Sequence, residues 1–181
     1  MIDSMPRIEL VDIISDDGAI VGTMSRDEAE YTNQPIQNVC VFVFNSLEKV
    51  WIQKRPMKKK HFPGLWDVSA CGAVESGEDI AIAAQREQEE EMGFRAELSL
   101  VESFINEFPG QDNQTWRRLS HLFVGESDEI PQSNDEVDEF AAWPFVELRQ
   151  KIALEPEKFI PSFLVELDKA VKGWKKLKGR N

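Results

Sequence analysis

The chain of 181 residues lacks several features that define large classes of protein. Its two cysteines, Cys40 and Cys71, are too few for the disulfide framework that stabilises small secreted domains. The longest uninterrupted apolar run, residues 39–44, is far shorter than the roughly 20 residues that a membrane-spanning helix needs. The first residues show no basic segment followed by an apolar one. We therefore expect no secretory signal, no membrane span and a reducing, cytoplasmic environment.

Positive charge is scarce over most of the sequence. The 33 acidic residues outnumber the 21 lysines and arginines, which gives a formal net charge of −12 and a pI near 4.7. A nucleic-acid polymer binds to a clustered basic surface, so we expect no such partner. The six basic residues of segment 169–181, which contains no acid, are typical of a helix end with cations near its C-terminal dipole. A small anionic substrate stays compatible with the acidity because a metal ion can supply positive charge.

The remaining composition is that of a globular domain. Hydrophobic residues make up 41% of the chain and charged residues 30%, which is enough apolar surface for one buried core. The length also suits one domain, and no internal repeat is visible. We expect residues 1–181 to form a single domain, with an N-terminal hairpin and short helix over 1–35 and a C-terminal helix and basic tail over 162–181.

Hydrophobic periodicity predicts strands and helices in irregular alternation. Strands are expected over residues 8–14, 19–24, 39–44, 50–53, 97–108, 116–125 and 137–143, with a short extended piece over 67–70. Residues 39–44 are apolar on both faces, which predicts a central strand. Helices are expected over 79–92, after Pro144 and over 162–176; the first has a capping box beginning at Ser76 and a left-handed residue at Gly93. This order predicts a mixed sheet between helices, and the chain lacks both the dinucleotide-binding glycine motif and the P-loop.

The helix expected over residues 79–92 carries acids on one face. At 100° per residue, Glu87, Glu90 and Glu91 lie within an arc of about 100°, whereas Glu89 points away. Like charges at these spacings repel each other. A hard dication such as Mg²⁺ or Mn²⁺, which prefers oxygen ligands, would offset that repulsion, and Arg86 can pair with Glu90 one turn on. The alternative for a run of glutamates in general is a solvated acidic face.

The spacing around these acids resembles the Nudix box of the Nudix hydrolase superfamily. The fixed polar and glycine positions of that motif are all present, over residues 72–94, as Gly72, Glu78, Arg86, Glu87, Glu90, Glu91 and Gly93. Gln88 stands where the family usually has an aliphatic residue, and a buried amide must find partners or cost about 1–3 kcal/mol. The expected element order is compatible with the family's α/β/α sandwich, an α+β fold with a mixed parallel and antiparallel sheet.

The resemblance also implies an activity, because Nudix enzymes use a divalent metal to hydrolyse a diphosphate linked to another group. It implies that Glu87, Glu90 and Glu91 bind Mg²⁺ or Mn²⁺ with help from the Gly72 carbonyl, that Glu78 supports this cluster, and that Arg86 orients Glu87. It places Glu87, Arg86 and Glu91 in catalysis, with Glu87 as the preferred general base and Glu136 and Glu139 as alternatives. The implied partner is a small-molecule diphosphate. Homodimers are common in the superfamily, and the sequence leaves the oligomeric state open.

A closer similarity, to the Nudix branch related to isopentenyl-diphosphate isomerase, lies outside the box. It is carried by Val11-Asp12-Ile13, Gln53-Lys54-Arg55, Lys59, Phe62-Pro63-Gly64-Leu65-Trp66-Asp67 and Asp135-Glu136-Val137. This similarity implies that Arg55 and Lys59 bind the terminal phosphate and that Trp66 lines the pocket.

That branch raises the question of hydrolase or isomerase. The isomerase acts on carbon through a cysteine and a glutamate, with a metal bound by histidines and glutamates. Cys71 is present here, but Ala73 stands where that segment continues to His, and the chain has only two histidines, His61 and His121. The downstream glutamates of the isomerase are also missing near Trp116-Arg117-Arg118. We therefore expect a hydrolase, with isopentenyl-diphosphate delta-isomerase as the alternative and a non-catalytic Nudix-like module ranked third, since no box glutamate is lost. The leaving group is not readable from the sequence.

Overall fold

The computed structural model describes residues 8–111 and 113–179. Within them lie nine strands: β1 Leu10–Ile14, β2 Ile20–Ser25, β3 Ile36–Phe44, β4 Lys49–Lys54, β5 Trp66–Asp67, β6 Ala70–Ala73, β7 Leu98–Pro109, β8 Thr115–Glu126 and β9 Glu139–Pro144. The same residues include four α-helices, α1 Arg26–Tyr31, α2 Ile80–Met92, α3 Phe145–Leu154 and α4 Phe163–Leu177, and a 3₁₀ turn, Pro156–Lys158. The start of the expected N-terminal segment (1–7), one residue of the β7–β8 turn (112) and the last residues of the basic tail (180–181) lie outside this description. None of the described helices is both long and apolar enough to cross a membrane.

The sheet is organised around β3. This strand pairs antiparallel with β6 on one side and parallel with β8 on the other, and β8 continues to β7. The ends of β3 also contact β1 and β4, which extend the sheet to β2, β5 and β9. Parallel and antiparallel pairs therefore coexist in one sheet, as the irregular order of elements predicts.

Helices cover both faces of β3. Its side chains alternate, so Val39, Val41 and Val43 pack with α2 on one face. Cys40, Phe42 and Phe44 pack with α3 and α4 on the other face, where the ring of Phe44 stacks on Trp174 with centroids 4.4 Å apart. All six of these β3 side chains are buried, as expected for a strand without a polar face. The predicted α/β/α sandwich is confirmed.

The start of α2 differs from the expected capping box. The carboxylate of Asp79, not the Ser76 hydroxyl, accepts from the backbone N–H groups of Ala81 and Ile82, at 2.8 and 3.3 Å. Ser76 Oγ instead donates to Asp12 Oδ1 at 2.6 Å, which ties the N-terminal hairpin to the loop before α2. The other end of α2 is as predicted, with Gly93 in the left-handed region at φ 81°.

Two strand predictions also need correction. The extended piece expected over residues 67–70 is two short strands, because β5 pairs with β4 and β6 pairs with β3. The strand expected over 137–143 begins at Glu139. Asn134 Oδ1 accepts from the N–H groups of Glu136 and Val137, so the chain turns there before it enters β9.

Candidate active site

Two glutamates of α2 lie at the floor of a cleft of about 510 Å³. Glu87 and Glu91 are one helical turn apart, and only 7% and 4% of their surfaces are exposed. Gly72 of β6 faces Glu87 so closely that a Cβ on residue 72 would lie 2.0 Å from the carboxyl carbon. Glycine is therefore required at position 72 for the carboxylate to rest against the strand. Glu91 Oε2 accepts from the Cys71 N–H at 2.8 Å and from Gln53 Nε2 at 2.6 Å, so both carboxylates are held in place.

Arg86 connects the acids of the box. Its guanidinium donates to both carboxylate oxygens of Glu78, each at 2.9 Å, and to Glu87 Oε1 at 2.6 Å. It also donates to the carbonyl of Ala73 at 3.1 Å and lies 3.5 Å from Glu90 Oε2. These contacts agree with the expected positions of Arg86 and Glu78, while their part in catalysis stays a prediction.

Ionisation of both Glu87 and Glu91 is unfavourable in their buried position. Burial and, second, the nearby charge of Glu87 together raise the pKa of Glu91 to about 8. Burial also raises the pKa of Glu87, while Arg86 opposes that rise. Such a site holds protons at neutral pH or accepts a cation, and carboxylates are the ligands that Mg²⁺ and Mn²⁺ prefer.

The third acid of the predicted metal cluster lies at the rim. The Glu90 side chain is 55% exposed and close to Arg86. Within the part of the chain that the structure describes, three acidic, thiol or imidazole side chains do not converge closely enough to form a metal site. Glu87 and Glu91 line the same cleft as Gly72 and supply the oxygen ligands that a hard dication prefers. The part of Glu90 as a further ligand stays a prediction.

The cations expected to bind a terminal phosphate both line the cleft, but each already has an acidic partner. Arg55 Nη1 lies 3.1 Å from Asp67 Oδ2, and the same guanidinium donates to the His61 carbonyl at 3.1 and 3.2 Å. Lys59 forms an ion pair with Glu136. Sequence reasoning treats both cations as free for phosphate and does not foresee these pairs. Their binding of phosphate stays a prediction.

The remaining predicted residues are more scattered. Trp66 packs against the core on the α4 side of the sheet, so its contact with substrate stays a prediction. Of the alternative bases, Glu136 lines the cleft. Glu139 lies on β9, 3.8 Å from Lys54 Nζ. The Gln88 side chain is fully buried, and its Oε1 accepts from the Ala96 N–H at 3.0 Å while its Nε2 has no hydrogen-bond partner among the described residues.

A smaller cavity of about 130 Å³ adjoins the cleft and shares Arg55, His61 and Cys71 with it. Burial and the charge of Asp67 raise the pKa of the Cys71 thiol well above its ordinary value, so Cys71 is a neutral thiol here. Its Sγ lies 3.2 Å from Asp67 Oδ2.

Sequence reasoning missed two buried charged residues that also line this cavity, Arg118 and Glu166. Both interrupt an inward-facing apolar pattern. Glu166 falls on the buried stripe of α4 between Phe163 and Leu167, and Arg118 alternates with the buried Trp116 on β8. A polar residue on an apolar face is the signal that could have found them.

Comparisons with known proteins agree on one family. A model described as the NUDIX domain matches residues 34–163. The isopentenyl-diphosphate delta-isomerase of Pectobacterium atrosepticum is 28% identical over 175 residues, which is 96% of this chain and 97% of that protein. The enzyme of the same name from Serratia proteamaculans is 31% identical over 159 residues, 86% of this chain and 88% of that protein. The crystal structure of DR0079 from Deinococcus radiodurans has the same fold, with a TM-score of 0.74 at 24% identity over 90% of this chain and 99% of that chain.

Proposed function

The chain belongs to the Nudix family, and on that premise we propose that it is a hydrolase that uses Mg²⁺ or Mn²⁺ to cleave a small organic or nucleoside diphosphate. One observation carries the proposal. Glu87 and Glu91 meet at the buried floor of the cleft beside Gly72, with Arg86 holding Glu87. Two buried carboxylates are costly without a compensating cation, so their retention favours a metal-binding role.

The roles of the chain's own groups follow from their contacts. A bound dication supplies positive charge to the phosphate oxygens and lowers the pKa of the attacking water. Arg86 engages Glu87 Oε1, and we assign Glu87 as the base that accepts the proton of that water. Burial raises the pKa of Glu87 above its ordinary value, which makes the ionised carboxylate a stronger base. Glu136 is a weaker candidate because its hydrogen bond with Lys59 lowers its pKa.

Binding of the terminal phosphate has to compete with existing ion pairs. The Lys59–Glu136 pair is partly exposed, with side-chain exposures of 25% and 51%, and such pairs open at small cost. The Arg55–Asp67 pair is more buried, at 16% and 6%, and a hydrogen bond to the His61 carbonyl holds it further. We therefore assign Lys59 as the group that moves to the phosphate and Arg55 as a fixed donor beside it.

The second candidate function is the isomerase, which the names of the relatives suggest. One structural observation favours it: the Cys71 thiol and the Glu166 carboxyl, a thiol and an acid, line the same small cavity. Two observations weigh against it. Glu166 Oε1 already accepts from Asn106 Nδ2 at 2.9 Å. The cavity is also lined by Arg118 of β8, and the segment around Trp116-Arg117-Arg118 lacks the downstream glutamates expected of an isomerase. A non-catalytic module ranks third, since every glutamate of the box is intact.

An assay with two readouts separates these functions. The protein with Mg²⁺ is offered nucleoside, sugar and prenyl diphosphates, and phosphate release is measured in parallel with the interconversion of isopentenyl diphosphate and its isomer by NMR. We expect release from at least one diphosphate and no interconversion. Interconversion without any phosphate release would show that the isomerase assignment is right and the hydrolase assignment wrong. Inactivity in both readouts would leave the non-catalytic module.

A further inference from the structure

Arg118 is a buried cation that forms no ion pair with an acidic side chain among the described residues. It lies on β8 with 7% of its surface exposed, and its guanidinium stacks over the Trp116 ring at 4.7 Å. Its Nη1 donates to the Arg117 carbonyl at 2.9 Å, and it forms no ion pair with any residue that the structure describes. By contrast, Arg26, Arg55 and Arg86 each contact a carboxylate.

This isolation leaves hydrogen-bonding capacity unused. A guanidinium has five N–H donors, and Arg118 places only one of them on the backbone. Burial lowers the pKa of Arg118 to about 10, with attraction from Glu30 and repulsion from Arg26 acting on it as well. The group is still charged at neutral pH, so an acceptor that enters its surroundings gains a charge-assisted hydrogen bond.

The surroundings of Arg118 are the small cavity next to the acidic cleft. Aromatic side chains form much of its wall, namely Phe62, Phe108 and Trp116. Cys71 and Gly72 border both the cavity and the cleft that holds Glu87 and Glu91. The leaving group of a diphosphate bound over these glutamates would therefore have the cavity with Arg118 next to it. The volume, about 130 Å³, suits a compact group.

We propose that this cavity binds the leaving group of the diphosphate and that Arg118 selects a compact leaving group with an oxygen acceptor over a hydrocarbon one. The acceptor is a neutral carbonyl or an anionic oxygen, either of which satisfies the guanidinium. A hydrocarbon group would exclude water from Arg118 without replacing its hydrogen bonds, which is unfavourable. The inference rests on the proposed function, because it takes the cleft as the diphosphate site.

Three matched substrates test this selection: pentyl, carbamoylbutyl and carboxybutyl diphosphate. They have leaving groups of similar length that end in a methyl group, a neutral carbonyl and an anion. We expect kcat/KM to be about 10- to 100-fold higher for one or both acceptor-bearing substrates than for the pentyl one, as a hydrogen bond to a charged group predicts. The better of the two identifies the kind of acceptor.

The variant Arg118→Met keeps an unbranched side chain but removes the donors. We expect the preference to fall to about onefold, through a higher KM for the acceptor-bearing substrates and a higher kcat/KM for pentyl diphosphate, because its hydrocarbon group no longer removes water from a guanidinium. The matched control is Arg117→Met, on the next position of β8, where the side chain pairs with Asp16 and Glu107. The control should keep the wild-type preference.

The unfolding temperature of Arg118→Met distinguishes a role of Arg118 in substrate selection from a role in stabilising the fold. Because Arg118 has no ion pair to lose among the described residues, Arg118→Met should unfold at the same temperature as wild type or a higher one. The inference would be overturned if Arg118→Met lost kcat/KM equally on all three substrates or kept the wild-type preference. It would also be overturned if the wild-type protein preferred pentyl diphosphate.

A binding measurement keeps the inference testable if no substrate is hydrolysed, an outcome that counts against the proposed function alone. Methylene-diphosphonate analogues of the same three compounds are titrated calorimetrically in Mg²⁺ into wild type and Arg118→Met. Tighter binding of the acceptor-bearing analogues that disappears in the variant supports the selection, and equal affinities contradict it.

Discussion

Glu91 and Glu166 are two buried acids on helices that pack against opposite faces of the same sheet. Burial raises the pKa of both, to about 8 for Glu91 and to about 7 for Glu166. Their neighbours differ. Glu91 lies beside a second buried carboxylate, Glu87, in a cleft lined by further acids. Glu166 receives a hydrogen bond from Asn106 Nδ2 at 2.9 Å and lies 3.6 Å from the thiol of Cys40.

Burial raises the pKa of both acids and therefore does not by itself favour metal binding. A single acid such as Glu166 can stay protonated and satisfied among neutral partners at neutral pH. Two neighbouring buried acids oppose each other's ionisation, so the Glu87–Glu91 pair favours a nearby cation, as the proposed metal binding requires. The comparison predicts that replacing Glu91 changes chemistry, whereas replacing Glu166 changes the pH dependence of stability.

The largest expected effect is that of Glu91→Gln on hydrolysis. The amide keeps a carbonyl oxygen that can accept from the Cys71 N–H and Gln53, so the fold should persist. It removes a proposed metal ligand, and kcat should fall more than about 100-fold, beyond the loss typical of groups that only support ligands. The measurement is phosphate release with saturating Mg²⁺.

Glu89→Gln is the matched control for that variant, because Glu89 lies on the same helix, is exposed and pairs with Arg95. It should keep wild-type activity. Full activity in Glu91→Gln would refute the metal assignment.

The second largest effect is expected for Gly72→Ala, because the new Cβ would collide with the Glu87 carboxyl carbon. Displacing that carboxylate should weaken Mn²⁺ binding by about 10- to 100-fold, as for changes that misplace a ligand. Titration with Mn²⁺ followed by electron paramagnetic resonance measures it. Gly22→Ala on β2, where an added Cβ meets nothing within 4 Å, is the control and should bind Mn²⁺ as wild type does. Equal affinity in both variants would contradict the role given to Gly72.

Glu166→Gln should leave hydrolysis nearly intact and change how stability depends on pH. The pKa of Glu166 is raised from 4.5 to about 7 by burial first and by the charge of Asp67 second, so the folded chain holds this proton more tightly than the unfolded chain. The free energy of unfolding of wild type should therefore fall relative to the variant as pH rises from about 4.5 to about 7. Below that window the proton is bound in both states, and above it in neither.

The size of this change is bounded by the pKa shift, at up to about 3 kcal/mol between the two ends of the window. Urea unfolding of wild type and Glu166→Gln at several pH values measures it, and effects of other groups cancel in the difference. If the free energies of unfolding of the two proteins changed in parallel with pH, the pKa of Glu166 would be the same in the folded and unfolded chain, against this prediction.

The smallest effect is expected for Gln88→Leu, a change to the aliphatic type that the family prefers. It removes the unpartnered Nε2 but also the acceptor of the Ala96 N–H, and these effects oppose each other. The free energy of unfolding should change by less than about 1 kcal/mol. Thermal or urea unfolding measures it. If the free energy of unfolding fell by several kcal/mol, loss of the Ala96 hydrogen bond would be the larger effect. If it rose by as much, removal of the unpartnered amide would be the larger effect.

Local patterns account for most of what could be predicted. The uninterrupted apolar run of residues 39–44 predicted that β3 is a central strand, and the glycine and acid spacing of the box predicted that Glu87 and Glu91 lie close together. These predictions hold because helix and strand periodicities operate within a few residues. The capping residue of α2 was predicted wrongly, since the Ser76 hydroxyl has a distant partner, Asp12, 64 residues away.

The sequence by itself determined the family, the order of elements and the acidic face of α2, because each is encoded by residues close together in the chain. Long-range packing decides which cations are already paired, as Arg55 is with Asp67, and which have no ion pair among the described residues, as with Arg118. It alone brought Glu166 to Cys40, across 126 residues. Such contacts depend on strand register and on helix packing across the sheet, and no local periodicity specifies them.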